Sequence, residues 1–313
     1  MTSIIELKKR LPKEFVENLY EMFTPITIDN ILKGMLDKRY LTLRVNTIKY
    51  NAQDLMKYFK ENNIKFERVN WYSDAFIIKN FDEKDIQKLD IYKNGYIYLQ
   101  SLSSMIPPLI LNPKPNEKIL DLTAAPGSKT TQMAALMKNE GFILANEVDK
   151  TRFEKLKYNI NMQGAKIVEA VNGYGEKLGE NYKENFDKVL LDTPCSGEGR
   201  FLATDALSYK QWSVKKVNEL AKIQKKLFKS AYIALKSGGT LVYSTCTLNK
   251  VENESIVDFA LNNFNLKIVD INLKINKMQN AFNNELHKDV EKAIRILPSK
   301  TMEGFFVAKF IKG

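Results

Sequence analysis

Residues 186–201, with the sequence FDKVLLDTPCSGEGRF, contain the pattern from which the fold of this chain can be worked out. The apolar run Val189–Leu191 is bounded by charged residues, which is typical of a strand buried on both faces of a parallel sheet. The run ends at Asp192, and Cys195 follows after a short turn that contains proline. An acid and a thiol therefore come together at the carboxyl end of a strand, where open α/β sheets bind their ligands.

Outward from this stretch, strand and helix patterns alternate along the second part of the chain. The predicted strands are 118–122, 142–147, 167–171, 189–191, 239–244, 266–271 and 305–310, and the predicted helices are 128–138, 150–162, 214–235 and 250–262. This alternation predicts a Rossmann-like, doubly wound, mostly parallel α/β sheet with helices on both faces. The last two strands are close in sequence, which favours an antiparallel pair at the end of the sheet. The polar segment 274–291 has no clear pattern of either kind.

A second cysteine occupies a comparable position further along the chain. The segment 238–248, GGTLVYSTCTL, combines a Gly-Gly turn with a β-rich strand and places Cys246 at the end of that strand. Two thiols at neighbouring strand ends, beside a ligand loop, indicate covalent catalysis through a thiolate. One alternative is two inert buried thiols, which the neighbouring Pro, Ser, Thr and Gly residues disfavour. A disulfide is the weakest alternative, because a chain of 313 residues needs no such crosslink.

The first predicted strand of the sheet leads into a loop suited to a small-molecule cofactor. Residues 119–130, ILDLTAAPGSKT, join a strand to a helix through small residues, which let a ligand approach the backbone and the helix N-terminus. The segment is neither a GxGxxG motif nor a P-loop, so NAD and ATP are disfavoured. Glu147 ends the second strand, where a carboxylate can bind ribose hydroxyls, and the two features together fit S-adenosylmethionine. Alternatively, Glu147 only caps the helix that starts near Lys150.

The first third of the chain predicts a smaller domain. Residues 4–37 have helical spacing with a break at Thr24-Pro25. Strand-like runs at 40–47, 65–69, 75–78 and 95–99 and helical runs at 51–62 and 82–89 then follow in the order β-α-β-β-α-β. That order predicts a ferredoxin-like or RNA-recognition-type, RNA-binding α+β domain over residues 1–110, and a catalytic domain over residues 111–313. Four of the nine prolines fall within residues 107–115, which indicates the junction.

Composition restricts the possible functions. A net charge of +11, spread over many segments, favours a polyanionic partner, nucleic acid first, over a merely lysine-rich solvated surface. The single histidine, His287, argues against a zinc site and a His-based triad, so we expect no metal. No apolar run approaches the roughly 20 residues of a membrane span. The N-terminus lacks a signal-peptide pattern, so we expect a cytoplasmic protein without membrane contact.

With these motifs, the chain resembles the Sun/NOL family of RNA 5-methylcytosine methyltransferases. The paired PCSG and STC motifs are the specific part of the resemblance, because DNA cytosine methyltransferases use only the Pro-Cys thiol. The resemblance covers nearly the whole chain. It is carried by LRVNTIK at 43–49, QSLSSMIPP at 100–108, TAAPGSKTTQ at 123–132, NEVDKTR at 146–152, DKVLLDTPCSGEGRF at 187–201, GGTLVYSTCTLNKVENE at 238–254 and GFFVAKF at 304–310.

The resemblance implies a role in the reaction for four residues. Cys246 resembles the nucleophile that adds to carbon 6 of cytosine, and Cys195 resembles the second thiol, which assists product release. Asp192 would hydrogen-bond the ring nitrogen and the exocyclic amine of the base. Lys129 would lie near the base and the nucleophile, where it would lower the pKa of the thiol or hold the ring carbonyl. Addition at carbon 6 makes carbon 5 electron-rich enough to attack a methyl sulfonium, and the base must be reached outside a stack.

The resemblance also implies where S-adenosylmethionine binds. The expected cofactor residues are Thr123, Ala124, Ala125, Pro126, Gly127, Ser128, Lys129, Glu147, Arg152, Asn172 and Asp192. The family usually has an acidic residue near the end of strand three that holds the adenine, and here Tyr174 stands at that place.

These features together predict an RNA cytosine carbon-5 methyltransferase that uses S-adenosylmethionine. We expect tRNA as the substrate, with rRNA as the alternative, and a monomer of the archaeal or bacterial type without an appended RNA-binding domain. Target choice would then depend on residues 1–110 and on surface lysines and arginines. A non-catalytic RNA-binding or assembly factor on the same fold is the competing class, and the intact Cys195, Cys246, Asp192 and Lys129 argue against it.

Overall fold

The computed structural model describes residues 3–276, 278–282 and 285–313, and the chain begins with a group of helices. These helices are α1 (Ile4–Arg10), α2 (Lys13–Met22) and α3 (Pro25–Leu36). The side chain of Thr24 caps α3, and Pro25 stands in its first turn, where the missing N–H leaves no helical hydrogen bond unmade. The break predicted at this point is confirmed.

The next segment forms a small antiparallel sheet. Its elements are β1 (Leu41–Val45), α4 (Ala52–Glu61), β2 (Phe66–Val69), β3 (Tyr72–Ile78), α5 (Glu83–Lys88), α6 (Asp90–Lys93) and β4 (Ile97–Leu99). The strand order is β2-β3-β1-β4, and the pairings are antiparallel. This is the ferredoxin-like arrangement, so the order predicted from the sequence is confirmed.

Both faces of this small sheet are covered. Phe76 of β3 packs against Phe59 of α4, with ring centroids 5.7 Å apart. On the other face, Ala75 and Ile77 belong to one apolar cluster with α7 (Leu102–Leu111). RNA-recognition domains stack bases on this kind of sheet face, and here it is buried. RNA binding by residues 1–110 therefore stays a prediction, and it would use other surfaces of the domain.

Helix α7 occupies the start of the predicted junction. Pro107 and Pro108 lie inside this helix, and its Ile106 belongs to one buried cluster with Ile119 and Leu190 of the main sheet. The proline-rich stretch thus begins within a helix that packs on the large domain. The boundary between residues 110 and 111 stays a prediction.

The remainder of the chain forms the main sheet and its helices. In chain order the elements are β5 (Lys118–Asp121), α8 (Ser128–Leu136), β6 (Phe142–Glu147), α9 (Lys150–Gln163), β7 (Val168–Asn172), α10 (Gly175–Asn181), β8 (Phe186–Asp192), α11 (Leu207–Lys210), α12 (Val214–Ala234), β9 (Leu235–Thr245), α13 (Glu254–Asn263), β10 (Leu266–Val269), β11 (Met278–Asn280), β12 (Ile294–Ile296) and β13 (Phe305–Lys312). Short 3₁₀ helices occur at Glu198–Arg200 and Lys288–Lys292.

The strand order confirms the predicted Rossmann-like sheet. The strands β7-β6-β5-β8-β9 are neighbours in that order and run parallel. Met133 of α8 and Leu156 of α9 belong to the apolar core on one face, and Phe228 of α12 and Ile256 of α13 to the core on the other. Helices therefore cover both faces, as a doubly wound sheet requires.

The C-terminal edge of the sheet is antiparallel. β13 pairs with β9, and β10 pairs with β13 so that Leu266 lies opposite Lys312, which confirms the predicted pairing. β11 and β12 extend the same edge, and the sequence pattern does not predict them, because three-residue strands show too little periodicity. Residues 277, 283 and 284 of the unassigned polar segment lie outside the described residues.

Candidate active site

A cleft of about 1040 Å³ opens at the carboxyl ends of the parallel strands. Strands β5, β6, β8 and β9 all end at this edge, because parallel strands share their direction. The predicted site residues that line the cleft are Thr123, Ala124, Ala125, Pro126, Ser128, Lys129, Glu147, Arg152, Asp192, Cys195 and Cys246. Residues that lie far apart in the sequence are thus brought to one surface by the sheet.

The two cysteines lie side by side in this cleft. The Sγ atoms of Cys195 and Cys246 are 3.2 Å apart, and both cysteines are free thiols. The backbone N–H of Cys246 donates to Cys195 Sγ over 3.3 Å. One residue further on, the hydroxyls of Ser196 and Thr247 are 2.7 Å apart, so two adjacent contacts join the two loops.

The environment of Cys195 disfavours its ionised form. The hydrogen bond with Cys246 raises the pKa of the Cys195 thiol well above its ordinary value, and burial raises it further. Two thiols at this distance do not both ionise readily, because the second negative charge would form beside the first. Cys195 therefore keeps its proton at neutral pH.

A buried acid supports the loop that carries Cys195. Glu252 Oε1 accepts hydrogen bonds from the Ser196 backbone N–H (2.9 Å) and from Gln224 Nε2 (3.0 Å). Burial raises the pKa of Glu252 from 4.5 to about 7. Sequence reasoning missed this residue, because an acid next to a helix start is indistinguishable from an ordinary solvated side chain until the packing is known.

An ion pair connects the cofactor loop to the thiol strands. Lys129 Nζ lies 2.6 Å from Asp192 Oδ2 and donates to Ser104 Oγ over 2.7 Å. The other carboxylate oxygen, Asp192 Oδ1, accepts from Ser244 Oγ over 2.7 Å. Lys129 is 8% exposed, so its charge is little screened by water. Neither serine was predicted as a site residue.

Side chains of α9 hold the loop after β5 through hydrogen bonds. Arg152 Nη2 donates to the carbonyl of Ala125 over 2.6 Å, and Asn159 Nδ2 donates to the carbonyl of Pro126 over 2.8 Å. Gly127 follows with φ +103°, a backbone conformation that glycine adopts readily. Thr123 Oγ1 donates to the backbone carbonyl of Asp192 over 2.9 Å, so this loop is also tied to β8.

Glu147 presents a buried carboxylate to the cleft. It is 3% exposed, and its Oε2 lies 3.4 Å from Arg152 Nη1. The N-cap of α9 is Asp149, whose side chain accepts from the Arg152 backbone N–H, although Glu147 Oε1 also accepts from the Asp149 N–H over 3.0 Å. Asp149 is therefore the residue that caps α9. Capping of the helix does not account for the buried carboxylate of Glu147.

Two other predicted residues lie behind or beside the cleft wall. Asn172 Nδ2 donates to the backbone carbonyls of Glu147 (2.6 Å) and Val148 (3.1 Å), so it fixes the end of β6. Tyr174, at the position usually held by an acid, is the N-cap of α10 and is 65% exposed. The nearby Glu176 lines the cleft.

The cleft has a second wall that sequence reasoning did not predict. It is formed by Arg39, Tyr98, Gln100, Ser101 and Ser104 from the N-terminal part, and by Arg200, Glu303 and Phe305 from the large domain. The matching segment QSLSSMIPP was the sequence signal that could have found three of them. Arg200 and Phe305 lie within two further matching segments, at 187–201 and 304–310, but neither segment assigned them a role in the site.

Within the described ranges, none of the helices is both long and apolar enough to cross a membrane. In the same part of the chain, His, Cys, Asp and Glu residues do not form a group of three or more that could hold a metal ion.

The fold and the cleft define a Rossmann-like methyltransferase, and comparison with known proteins agrees. A crystal structure of a methyltransferase homolog protein from Pyrococcus horikoshii has a TM-score of 0.86 at 32% identity, over 100% of both chains. The family described as 16S rRNA methyltransferase RsmB/F matches residues 108–311. The N-terminal domain of 16S rRNA methyltransferase RsmF matches residues 11–102. The chain therefore belongs to the RsmB/F methyltransferase family.

Curated relatives specify the family's activity. The tRNA (cytosine(49)-C(5))-methyltransferase of Pyrococcus abyssi is 40% identical over 87% of this chain and 88% of that protein. Ribosomal RNA small subunit methyltransferase F of Shewanella sp. (strain MR-4) is 35% identical over 97% of this chain but only 63% of that protein. The chain thus belongs to a family of S-adenosylmethionine-dependent RNA cytosine-5 methyltransferases. The predicted family, enzyme class, RNA substrate class and cofactor are confirmed.

The buried acid at the end of β5 makes the stability of the folded protein depend on pH. Asp121 is 1% exposed and accepts from Thr130 Oγ1 over 2.6 Å, and burial raises its pKa from 3.8 to about 7. The folded protein therefore binds this proton more tightly than the unfolded chain. The protonated carboxyl therefore stabilises the folded protein in full below pH 3.8, and this stabilisation is lost as the pH rises through 7. At roughly 1.4 kcal/mol per pKa unit, the loss in the free energy of unfolding is at most about 4 kcal/mol.

Asp121→Asn should remove this loss, because the amide does not ionise. We expect the free energy of unfolding in urea to change less between pH 5 and pH 8 in the variant than in the unsubstituted protein. Glu219→Gln, at an exposed position of α12, is the control and should leave the pH dependence unchanged. An unchanged pH dependence in Asp121→Asn would show that Asp121 is already ionised in the folded protein at pH 5.

Proposed function

We propose that this protein methylates carbon 5 of a cytosine in tRNA through a covalent bond between Cys246 and the base. The observation that carries the proposal is the pair of free thiols 3.2 Å apart, in the same cleft as the Lys129–Asp192 ion pair. A thiol pair, a buried cation and a carboxylate are the groups that addition to a cytosine ring requires. The cleft also contains the loop expected for the methyl donor.

The cofactor part of the cleft suits a ligand with hydroxyl and amine donors. The Glu147 carboxylate is buried there, and Asn146, 1% exposed, has an Oδ1 atom that accepts no hydrogen bond within the described residues. Such buried acceptors are costly unless a ligand or water supplies a donor. Glu147, Asn146 and the loop 123–129 would hold S-adenosylmethionine, with Arg152 and Asn172 positioning them. When bound, the cofactor supplies a methyl group on a positively charged sulfur.

The base-binding part of the cleft suits a cytosine ring. Asp192 would accept a hydrogen bond from the exocyclic amine of the base. It would also share a proton with the ring nitrogen and so support the charge that develops there. Lys129 pairs with Asp192 and donates to Ser104, and because an ammonium has three donors, one remains for the ring carbonyl. Cys246 Sγ would add to carbon 6, which makes carbon 5 nucleophilic.

Cys195 suits a role at the end of the reaction. Its pKa is raised chiefly by the hydrogen bond with Cys246, so this effect disappears once Cys246 is bonded to the base. Cys195 would then lose its proton to solvent in the cleft more readily than in the free enzyme, and as the anion of a buried thiol it is a comparatively strong base. It would take the proton from carbon 5, after which the bond between Cys246 and carbon 6 breaks and the product is released.

The tRNA part of the proposal rests on the extent of similarity. The chain spans 88% of the tRNA enzyme from Pyrococcus abyssi but less than two thirds of the ribosomal enzyme, and its identity to the former is higher. We expect bisulfite sequencing of RNA from cells with and without this gene to show loss of a 5-methylcytosine in tRNA. Loss confined to the small-subunit rRNA would replace tRNA by the alternative substrate. A monomeric state and a cytoplasmic location also stay predictions.

The two thiols should respond differently to substitution. Cys246→Ala should abolish methylation and form no adduct, because no thiolate is available to attack carbon 6. Cys195→Ala should allow addition and methyl transfer but stall release, so that a protein–RNA complex accumulates. The measurement is a denaturing gel with labelled RNA and S-adenosylmethionine.

The double variant Cys195→Ala/Cys246→Ala is the control for trapping and should show no complex. An adduct in Cys246→Ala together with none in Cys195→Ala would reverse the two roles. Normal turnover in both single variants would refute covalent catalysis by either thiol.

Glu147 should contribute to cofactor affinity. Glu147→Ala removes a buried charged acceptor, and hydrogen bonds to charged groups contribute roughly 1.5–3 kcal/mol. Calorimetric titration with S-adenosylmethionine should therefore show weaker binding by about this amount. Glu154→Ala, at an exposed acid on the following helix α9, is the matched control and should bind normally. Equal affinity in Glu147→Ala and the control would remove Glu147 from the cofactor site.

A further inference from the structure

Arg200 is an arginine of the cleft for which neither the motifs nor the proposed mechanism provides a role. It follows the Cys195 loop at the end of the 3₁₀ helix Glu198–Arg200, and it lines the cleft together with Cys195 and Cys246. The helix is tied directly to the second thiol strand, because the Gly199 N–H donates to the backbone carbonyl of Cys246 over 3.0 Å. Arg200 is therefore positioned by the same backbone that carries Cys246.

The backbone next to Arg200 is fixed from two further directions. The carbonyl of Gly199 accepts from the Gly304 N–H over 2.9 Å and from Arg39 Nη2 over 3.0 Å. The crossing of the two glycines is so close that a Cβ atom on Gly199 would lie 2.0 Å from the Gly304 carbonyl oxygen. A backbone held in this way limits the positions that the arginine side chain can reach.

The charges around Arg200 favour an interaction with Cys246. Attraction to the Cys246 thiolate is the largest effect that raises the pKa of Arg200, followed among the raising effects by Glu303 and Cys195. Lys129, the other cation suggested for this task, is bound to Asp192 and Ser104. Two further charged groups act on these residues: Arg39 repels Arg200, and the buried Glu252 acts on Cys195.

We propose that Arg200 is a catalytic residue whose guanidinium stabilises the Cys246 thiolate before it attacks the base. The inference rests on the proposed function of Cys246 as the nucleophile. It divides the two cations of the cleft between two tasks: Lys129 serves Asp192 and the ring carbonyl, and Arg200 serves the thiolate. A guanidinium suits the second task, since it stays protonated at every pH at which the thiol titrates.

The test measures the thiol itself and needs neither RNA nor cofactor. In a Cys195→Ser background, Cys246 is the only cysteine of the chain, and its alkylation by iodoacetamide reports the thiolate fraction. Arg200→Gln should move the midpoint of the pH–rate profile up by about one unit, which lowers the alkylation rate at neutral pH by about tenfold. Arg200→Lys should restore most of the rate, because it keeps the charge.

The matched control is Lys129→Gln in the same background, which should change the midpoint less than Arg200→Gln. Arg200 is exposed at the cleft, so its substitution should leave the thermal unfolding midpoint unchanged.

In the enzyme with both cysteines, Arg200→Gln should lower kcat and leave the KM for RNA nearly unchanged. An unchanged alkylation midpoint, or a KM effect alone, would overturn the proposal and make Arg200 a contact for RNA phosphate. The alkylation result does not depend on methyl transfer, whereas the adduct assay of Cys246→Ala tests the nucleophile, so the two failures are distinguishable.

Discussion

The register between β8 and β9 is the constraint on which the site depends. Asp192 lies opposite Ser244, and the N–H of Thr193 donates to the carbonyl of Ser244 over 3.1 Å. Because the strands are parallel, the residues that follow each of them leave the sheet on the same side. The two thiols meet for this reason, and the Asp192 carboxylate is placed beside them. A shift of the register by one residue would turn every side chain of β8 to the opposite face.

Buried polar side chains pack beneath the loops that follow β8 and β9. Glu198 accepts from Trp212 Nε1 and Asn249 Nδ2, both over 2.9 Å, and Arg295 and Glu254 form an ion pair in which both side chains are fully buried. Burying such groups costs free energy unless they find partners, and the hydrogen bonds of Glu198 to Trp212 and Asn249 offset part of that cost and tie the loops together. We infer that these buried side chains keep the thiols and Arg200 in position.

The N-terminal domain completes the cleft instead of presenting an open sheet to RNA. Arg44 of β1 is fully buried and donates to Gln100 Oε1 and to Thr131 Oγ1 of α8, both over 2.8 Å. Ser104 of α7 accepts from Lys129, so the segment after the small sheet contacts the ion pair directly. The two domains therefore share one site, and substitutions in the small domain can alter the chemistry of the large one.

The sequence by itself determined the main strands and the long helices of both sheets and the order in which they follow one another, but not the short strands β11 and β12. Apolar runs such as Val189–Leu191 mark strands through local periodicity, and the positions of Asp192 and Cys246 just after strand patterns predicted one reactive edge. The family resemblance supplied the roles proposed for the thiols. Only the tertiary structure decided the partners, which are Ser104 for Lys129 and Glu252 for the Cys195 loop. Periodicity describes which face of an element is buried, whereas these contacts join side chains from elements that meet only when the sheets and helices pack.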